Sequence, residues 1–241
     1  MQHVLSLLRR CVDDYQMIDE GDTIAVGVSG GKDSVLLLAA LAHLRRFYPK
    51  KFDLVAVTID SGVPGMDFTP VKRLCEELEV PYRIELVPTY EIVFLHRKEK
   101  NPCSLCAKMR RGALSTILNE MGIKKIALGH HYDDAVETMV MSLFLEGRIG
   151  CFQPVTFLDR SGVTQIRPML YMEERDVRGA VRRLGLPVVE NPCPADGSTQ
   201  REEMKQLLRD LEKQYPNLKK KIFGAIQRYP LYGWSLEELQ R

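Results

Sequence analysis

Apolar residues recur at helical spacing over residues 2–18, interspersed with Arg9, Arg10, Asp13 and Asp14, which predicts an amphipathic helix. Thr23–Ser29 is a short β-rich apolar run that ends in glycines, and Val35–Phe47 follows as a buried helix. The same alternation repeats down the chain. Leu54–Ile59 reads as a strand, Phe68–Leu78 as a helix, Tyr82–Val87 as a strand and Leu105–Met121 as a helix. Lys125–Gly129 is then a strand and Val136–Phe144 a helix. Residues 147–168, with three glycines and two prolines, predict irregular structure. Glu173–Leu184 is a charged helix, Val188–Val189 opens an extended piece ending at Asn191-Pro192-Cys193, and Thr199–Tyr215 and Leu218–Gln227 close the chain as helices.

Strands alternating with helices predict an α/β fold, a parallel sheet flanked by helices. Ligands of such sheets bind at the carboxyl ends of the strands. The polar motifs fall there, after Val28, after Ile59 and after Leu128. We expect three parts: an N-terminal helix over residues 1–20, the sheet domain over 21–195, and a helical segment over 196–241 packed on that domain.

Composition changes this picture little. Lys and Arg number 34 against 32 Asp and Glu, a net charge of +2, with 45% hydrophobic residues, as in an ordinary globular chain. No run approaches the roughly 18 apolar residues of a membrane helix, and the N-terminus has no signal-peptide pattern, so no membrane partner and a cytoplasmic location are expected. The six cysteines, at 11, 75, 103, 106, 151 and 193, are then expected to be reduced. Residues 201–228 carry eight Lys/Arg against four Asp/Glu, the charge footprint of a phosphate backbone, with Tyr215, Phe223 and Tyr229 available to stack.

Ser29-Gly30-Gly31-Lys32-Asp33-Ser34 joins a strand to a helix. Paired glycines let backbone amides approach an anion, and the helix that follows presents free N–H groups and a positive dipole end. Lys32 adds a mobile charge, Ser29 and Ser34 add hydroxyls, and Asp33 is placed to hold a metal ion or the loop itself. Gly129-His130-His131-Tyr132-Asp133-Asp134 brings two imidazoles and two carboxylates to another strand end. That suits Mg²⁺ binding and proton handling beside a triphosphate, although one of the two aspartates also reads as a helix N-cap. Cys103-Ser-Leu-Cys106, followed by Arg110 and Arg111, is compatible with zinc, a redox pair, an iron–sulfur centre or chance spacing. Cys11, Cys75 and Cys151 read as core residues.

The glycine loop resembles the PP-loop of the N-type ATP pyrophosphatases, which are adenine nucleotide alpha hydrolase-like. Its spacing is not that of a kinase-type P-loop. The order PP-loop, C-S-L-C-x-x-x-R-R-G, G-H-H-x-x-D-D, N-P-C is similar to the tRNA 2-thiocytidine synthetases over residues 10–228. The related 2-thiouridine synthetases share the core but carry zinc ribbons that this sequence lacks.

The resemblance implies ATP bound by Ser29–Ser34, with Ile59 at the adenine and Gly129 and Asp134 beside the phosphates. It implies Mg²⁺, a 4Fe-4S cluster on Cys103, Cys106 and Cys193, and catalytic roles for Lys32, Arg110 and Asp134. It further implies tRNA as acceptor, a cysteine desulfurase or other sulfide donor, and a homodimer. The alternative is a PP-loop synthetase or thiolase acting on a free nucleobase or other small molecule.

Overall fold

In the computed structural model, which describes residues 1–97, 102–194 and 200–229, period-two alternation decides which side chains meet. Strand β1 (Asp22–Gly27) sends Ile24 and Val26 to one face of a sheet and Ala25 to the other. Strand β2 (Phe52–Asp60) divides Leu54 and Ala56 from Val57 in the same way. Strands β3 (Tyr82–Leu86), β4 (Lys125–Ala127), β5 (Val155–Leu158) and β6 (Val163–Ile166) complete a six-stranded sheet of order β3-β2-β1-β4-β6-β5. All pairings are parallel except β5 with β6.

The larger core lies on one face. It is built on helix α2 (Lys32–Leu44), buried almost throughout its Val35–Ala42 run, with α1 (Gln2–Asp14), α3 (Thr69–Glu77), α5 (Tyr132–Glu146) and α6 (Glu174–Leu184). Met204 and Leu208 of α7 (Gln200–Gln214), and Phe223 and Ile226 of α8 (Leu218–Arg228), enter the same core as Val4 and Leu8 of α1. Helix α4 (Pro102–Glu120) covers the other face through Ile117 and Leu118. A π-helical turn, Glu91–His96, precedes it. No helix of the described residues is long and apolar enough to cross a membrane.

Three expectations are corrected. Residues 147–168 contain the β5–β6 hairpin rather than irregular structure. Its strands are four residues long: β5 lies at the sheet edge with Phe157 outward, and β6, paired on both sides, has polar Thr164 and Gln165 between buried Val163 and Ile166, so neither carries a continuous apolar run. Helix α5 starts at Tyr132, four residues earlier than its apolar pattern, and its N-cap is His131 rather than either aspartate. Phe223 is buried against Tyr132, with ring centroids 4.4 Å apart, and is not available to stack on a base. The stretch following Cys193 at 195–199 and residues 230–241 lie outside the described residues.

Candidate active site

The strand order reverses at β1, between β2 and β4, and such a switch point opens a crevice at the strands' carboxyl ends. The two motif loops leave the sheet there. A cavity of about 730 Å³ is lined by Ser29, Asp33 and Ser34 of one loop and Gly129, His130 and Asp134 of the other. Val57, Ile59, Leu114 and Leu128 supply an apolar wall, and Arg110 and Arg111 of α4 border it.

The glycine loop holds its own shape. The Ser29 N–H donates to Ser34 Oγ at 3.1 Å, and Ser34 Oγ donates to the Gly31 carbonyl at 2.9 Å. Gly30 sits at φ +85°, where L side chains are strained. Its carbonyl accepts the Val189 N–H at 2.9 Å, which lays the segment leading to Cys193 against the loop. Gly129 serves a different need. A Cβ there would lie 3.1–3.2 Å from the Asp33 and Ser34 backbone, so glycine lets the second loop close on the first turn of α2.

His131 is buried between two carboxylates, with Nε2 3.6 Å from Asp33 and Nδ1 3.4 Å from Asp134. Asp134 also accepts the His131 backbone N–H at 2.9 Å, closing the first turn of α5. Oδ1 of Asp33 is buried without a hydrogen-bond partner. His130 packs against Phe152 with the rings tilted by 40°, and burial, reinforced by the Arg167 guanidinium, pushes its pKa down to about 4. Its imidazole is therefore neutral at physiological pH.

Lys32 is not the mobile charge expected of it. Its ammonium lies 2.9 Å from Asp33 and 3.3 Å from Glu174. The basic C-terminal helices turn out to be partly committed to the site. Arg201 reaches Asp134 at 3.5 Å and Glu137 at 3.2 Å, Lys205 reaches Glu174 at 2.7 Å, and Lys219 reaches Asp133 at 2.7 Å. Lys220, Lys221 and Arg228 make no ion pair with a described residue, and Lys220 and Arg228 line a groove with Arg10, Arg175, Glu173 and Glu212.

Glu137, Arg167, Glu174, Arg201, Lys205 and Lys219 are therefore site residues that no motif announced. The last three register in the sequence only as net charge. Arg167 is buried, donating to Thr156 Oγ1 and Gln165 Oε1 from within the unrecognised hairpin, and burial pushes its pKa down to about 10.

Burial, the largest influence on Glu174, raises its pKa, but Lys205 and Lys32 outweigh it and hold the group at about 2, against an ordinary 4.5. Burial likewise opposes Asp133, yet the Lys219 ammonium and the Glu174 N–H keep it below the usual range. Carboxyls depressed in the folded state stabilise it above their unfolded pKa and cease to do so as pH falls through the folded value. Stability should therefore drop between pH 4.5 and about 2, and Glu174→Gln should flatten that drop in a pH series of thermal melts.

Cys103 is exposed and Cys106 half-buried, one turn apart at the head of α4, and Cys193 is half-buried on the segment beside the glycine loop. Among the described residues no three His, Cys, Asp or Glu side chains are gathered to hold a metal ion. Cys11 and Cys75 are buried as expected of core residues, and Cys151 is partly so.

Residues 3–211 match the PP-loop domain family. The chain is 40% identical over 235 residues to the tRNA-cytidine(32) 2-sulfurtransferase of Geobacter metallireducens, covering 96% of this chain and 91% of that protein. With its counterpart from Geobacter sulfurreducens the identity is 41% over 239 residues, with the same coverage. Among solved structures it is similar to the U34-tRNA thiolase NcsA from Methanococcus maripaludis with its 4Fe-4S cluster. That likeness has a TM-score of 0.75 at 25% identity and covers 91% of this chain and 76% of that one.

Proposed function

The chain belongs to the PP-loop domain family and, within it, to the tRNA-cytidine(32) 2-sulfurtransferases, and on that premise we propose that it is an ATP-dependent tRNA sulfurtransferase. The observation that carries this reading is the meeting of the glycine loop and the Gly129–Asp134 turn in one cavity, bordered by the helix that bears Cys103 and Cys106. A free nucleobase or other small acceptor is the less favoured reading, because the named relatives act on tRNA. Lys220 and Arg228, which make no ion pair with a described residue, suit a phosphate backbone, with Glu173 and Glu212 in the same groove.

A pyrimidine carbonyl does not exchange oxygen for sulfur unaided, since oxide is a very poor leaving group. In the proposed reaction the O2 oxygen of cytidine attacks the α-phosphorus of ATP and the α–β bridging bond breaks, releasing pyrophosphate. A sulfur nucleophile then attacks C2, and the C2–O bond breaks as AMP departs. The loop N–H groups, with Ser29 and Ser34, hold the departing pyrophosphate, and Ile59 faces the adenine. Arg110 and Lys32 offset phosphate charge. Mg²⁺ takes few protein ligands when phosphates complete its shell, so Asp33, with its unpartnered Oδ1, and Asp134 fit it. His130, held neutral by burial, lines the cavity as an uncharged polar group.

Cys103, Cys106 and Cys193 are the thiols proposed for a 4Fe-4S cluster. The 4Fe-4S cluster of the solved thiolase to which the chain is similar supports that assignment. A cysteine desulfurase or free sulfide supplies the sulfur, and a cytoplasmic homodimer is the proposed working form.

The test incubates protein reconstituted anaerobically with iron and sulfide with ATP, sulfide and unmodified total tRNA. Digested tRNA is expected to contain 2-thiocytidine, and AMP and pyrophosphate should accumulate with it. Pyrophosphate release without any thiolated nucleoside, across several tRNA pools, would overturn the tRNA reading and leave adenylation of another acceptor.

A further inference from the structure

Glu174 is the first residue of α6 and its side chain is 9% exposed. Its backbone N–H donates to Asp133 Oδ2 at 2.7 Å, which anchors the helix start. Its carboxylate faces three cations. Lys32 lies 3.3 Å away, Lys205 lies 2.7 Å from Oε2 and 2.8 Å from Oε1, and Arg178 lies 3.4 Å away. Burying a carboxylate is costly unless it is paired, and this one is paired with the lysine of the glycine loop.

The use follows from the chemistry of lysine. An ammonium on a flexible four-carbon stem wanders, and an unplaced charge stabilises a developing phosphate charge poorly. Two carboxylates, Asp33 and Glu174, fix the Lys32 ammonium. Alone they would also neutralise it and repel an arriving triphosphate. Lys205 and Arg178 correct this: three cations meet two anions, so the cluster keeps a net charge of about +1.

We infer that Glu174 is a positioning residue for Lys32, and that Lys205 of α7 supplies the counter-charge that keeps the loop lysine available to phosphate. This inference rests on the proposal that the glycine loop holds the phosphates of ATP.

The experiment measures tRNA-dependent pyrophosphate release against ATP concentration for the full chain, for Glu174→Gln, for Lys32→Met and for the double variant. Glu174→Gln should lower kcat about tenfold and change KM for ATP by less than about threefold, as expected when a charge is misplaced rather than lost. The double variant should be no slower than Lys32→Met alone, because Glu174 acts through Lys32. Losses that multiply in the double variant, or an unchanged kcat in Glu174→Gln, overturn the inference.

If Glu174→Gln does not fold, Lys205→Gln takes its place. It leaves Glu174 to Lys32, and KM for ATP should rise about threefold in an otherwise wild-type chain but not in a Lys32→Met background. An unchanged KM, or an equal rise in both backgrounds, overturns the inference. A wild-type chain that releases no pyrophosphate with any acceptor defeats the proposed function instead.

Discussion

Gly30→Ala should leave the chain folded and reduce its pyrophosphate release at least about a hundredfold, the usual consequence of moving catalytic groups by an ångström. Two effects act together. At φ +85° an alanine adopts the left-handed region at about 1–2 kcal/mol. Its Cβ would also stand 2.8 Å from Val189 Cβ and 2.9 Å from its Cγ2, distances that real Cβ atoms do not occupy. Val189 is unable to retreat freely, because its N–H is bonded to the Gly30 carbonyl at 2.9 Å. The loop must therefore shift, and its amides leave the positions that hold phosphate.

Calorimetric ATP titration and pyrophosphate assays measure the loss, and far-ultraviolet circular dichroism checks the fold. Adding Val189→Gly removes the steric partner and keeps the backbone strain, so it should restore part of the activity. Wild-type turnover by Gly30→Ala would show that this loop does not hold the phosphates.

Asp134 offers a cleaner separation of roles. Its carboxylate accepts the His131 N–H in the first turn of α5 and also faces the cavity. Asparagine keeps an acceptor oxygen for the turn but has no charge, and alanine keeps neither. Both variants should lose at least about a hundredfold in kcat, on the scale of removing one electrostatic stabiliser. Only Asp134→Ala should lose stability, by about 1 kcal/mol, the usual cost of a lost helix-terminal cap. Chemical denaturation distinguishes the two. Retained activity in Asp134→Asn would exclude a charge-based role, and equal destabilisation would show that the cap does not account for the residue.

What the sequence made legible divides along physical lines. The glycine loop, β1 and α2 were readable because their determinants are contiguous: an apolar run, paired glycines, then an unbroken buried helix. The Gly129–Asp134 turn was readable as chemistry but not as geometry, since a histidine N-cap starts α5 before its apolar pattern does. The β5–β6 hairpin escaped because its strands are only four residues long and polar residues interrupt both, leaving no apolar run. Glu174 escaped for another reason. Its partners Lys32 and Lys205 are far from it in the chain, and nothing local distinguishes a buried ion pair from a solvated one. The same blindness made residues 201–228 look like a free basic face, when Arg201, Lys205 and Lys219 are turned inward to Asp134, Glu137, Glu174 and Asp133.

That inward turn bears on how the molecule is made. A growing chain emerges N-terminus first. The glycine loop, the Gly129–Asp134 turn and Glu174 are all synthesised before α7 and α8. Until those helices arrive, Asp133, Asp134 and Glu137 lack the Lys and Arg partners they meet in the fold, and Glu174 has Lys32 and Arg178 but not Lys205. A nascent chain therefore carries the loops of the site but not its charge balance.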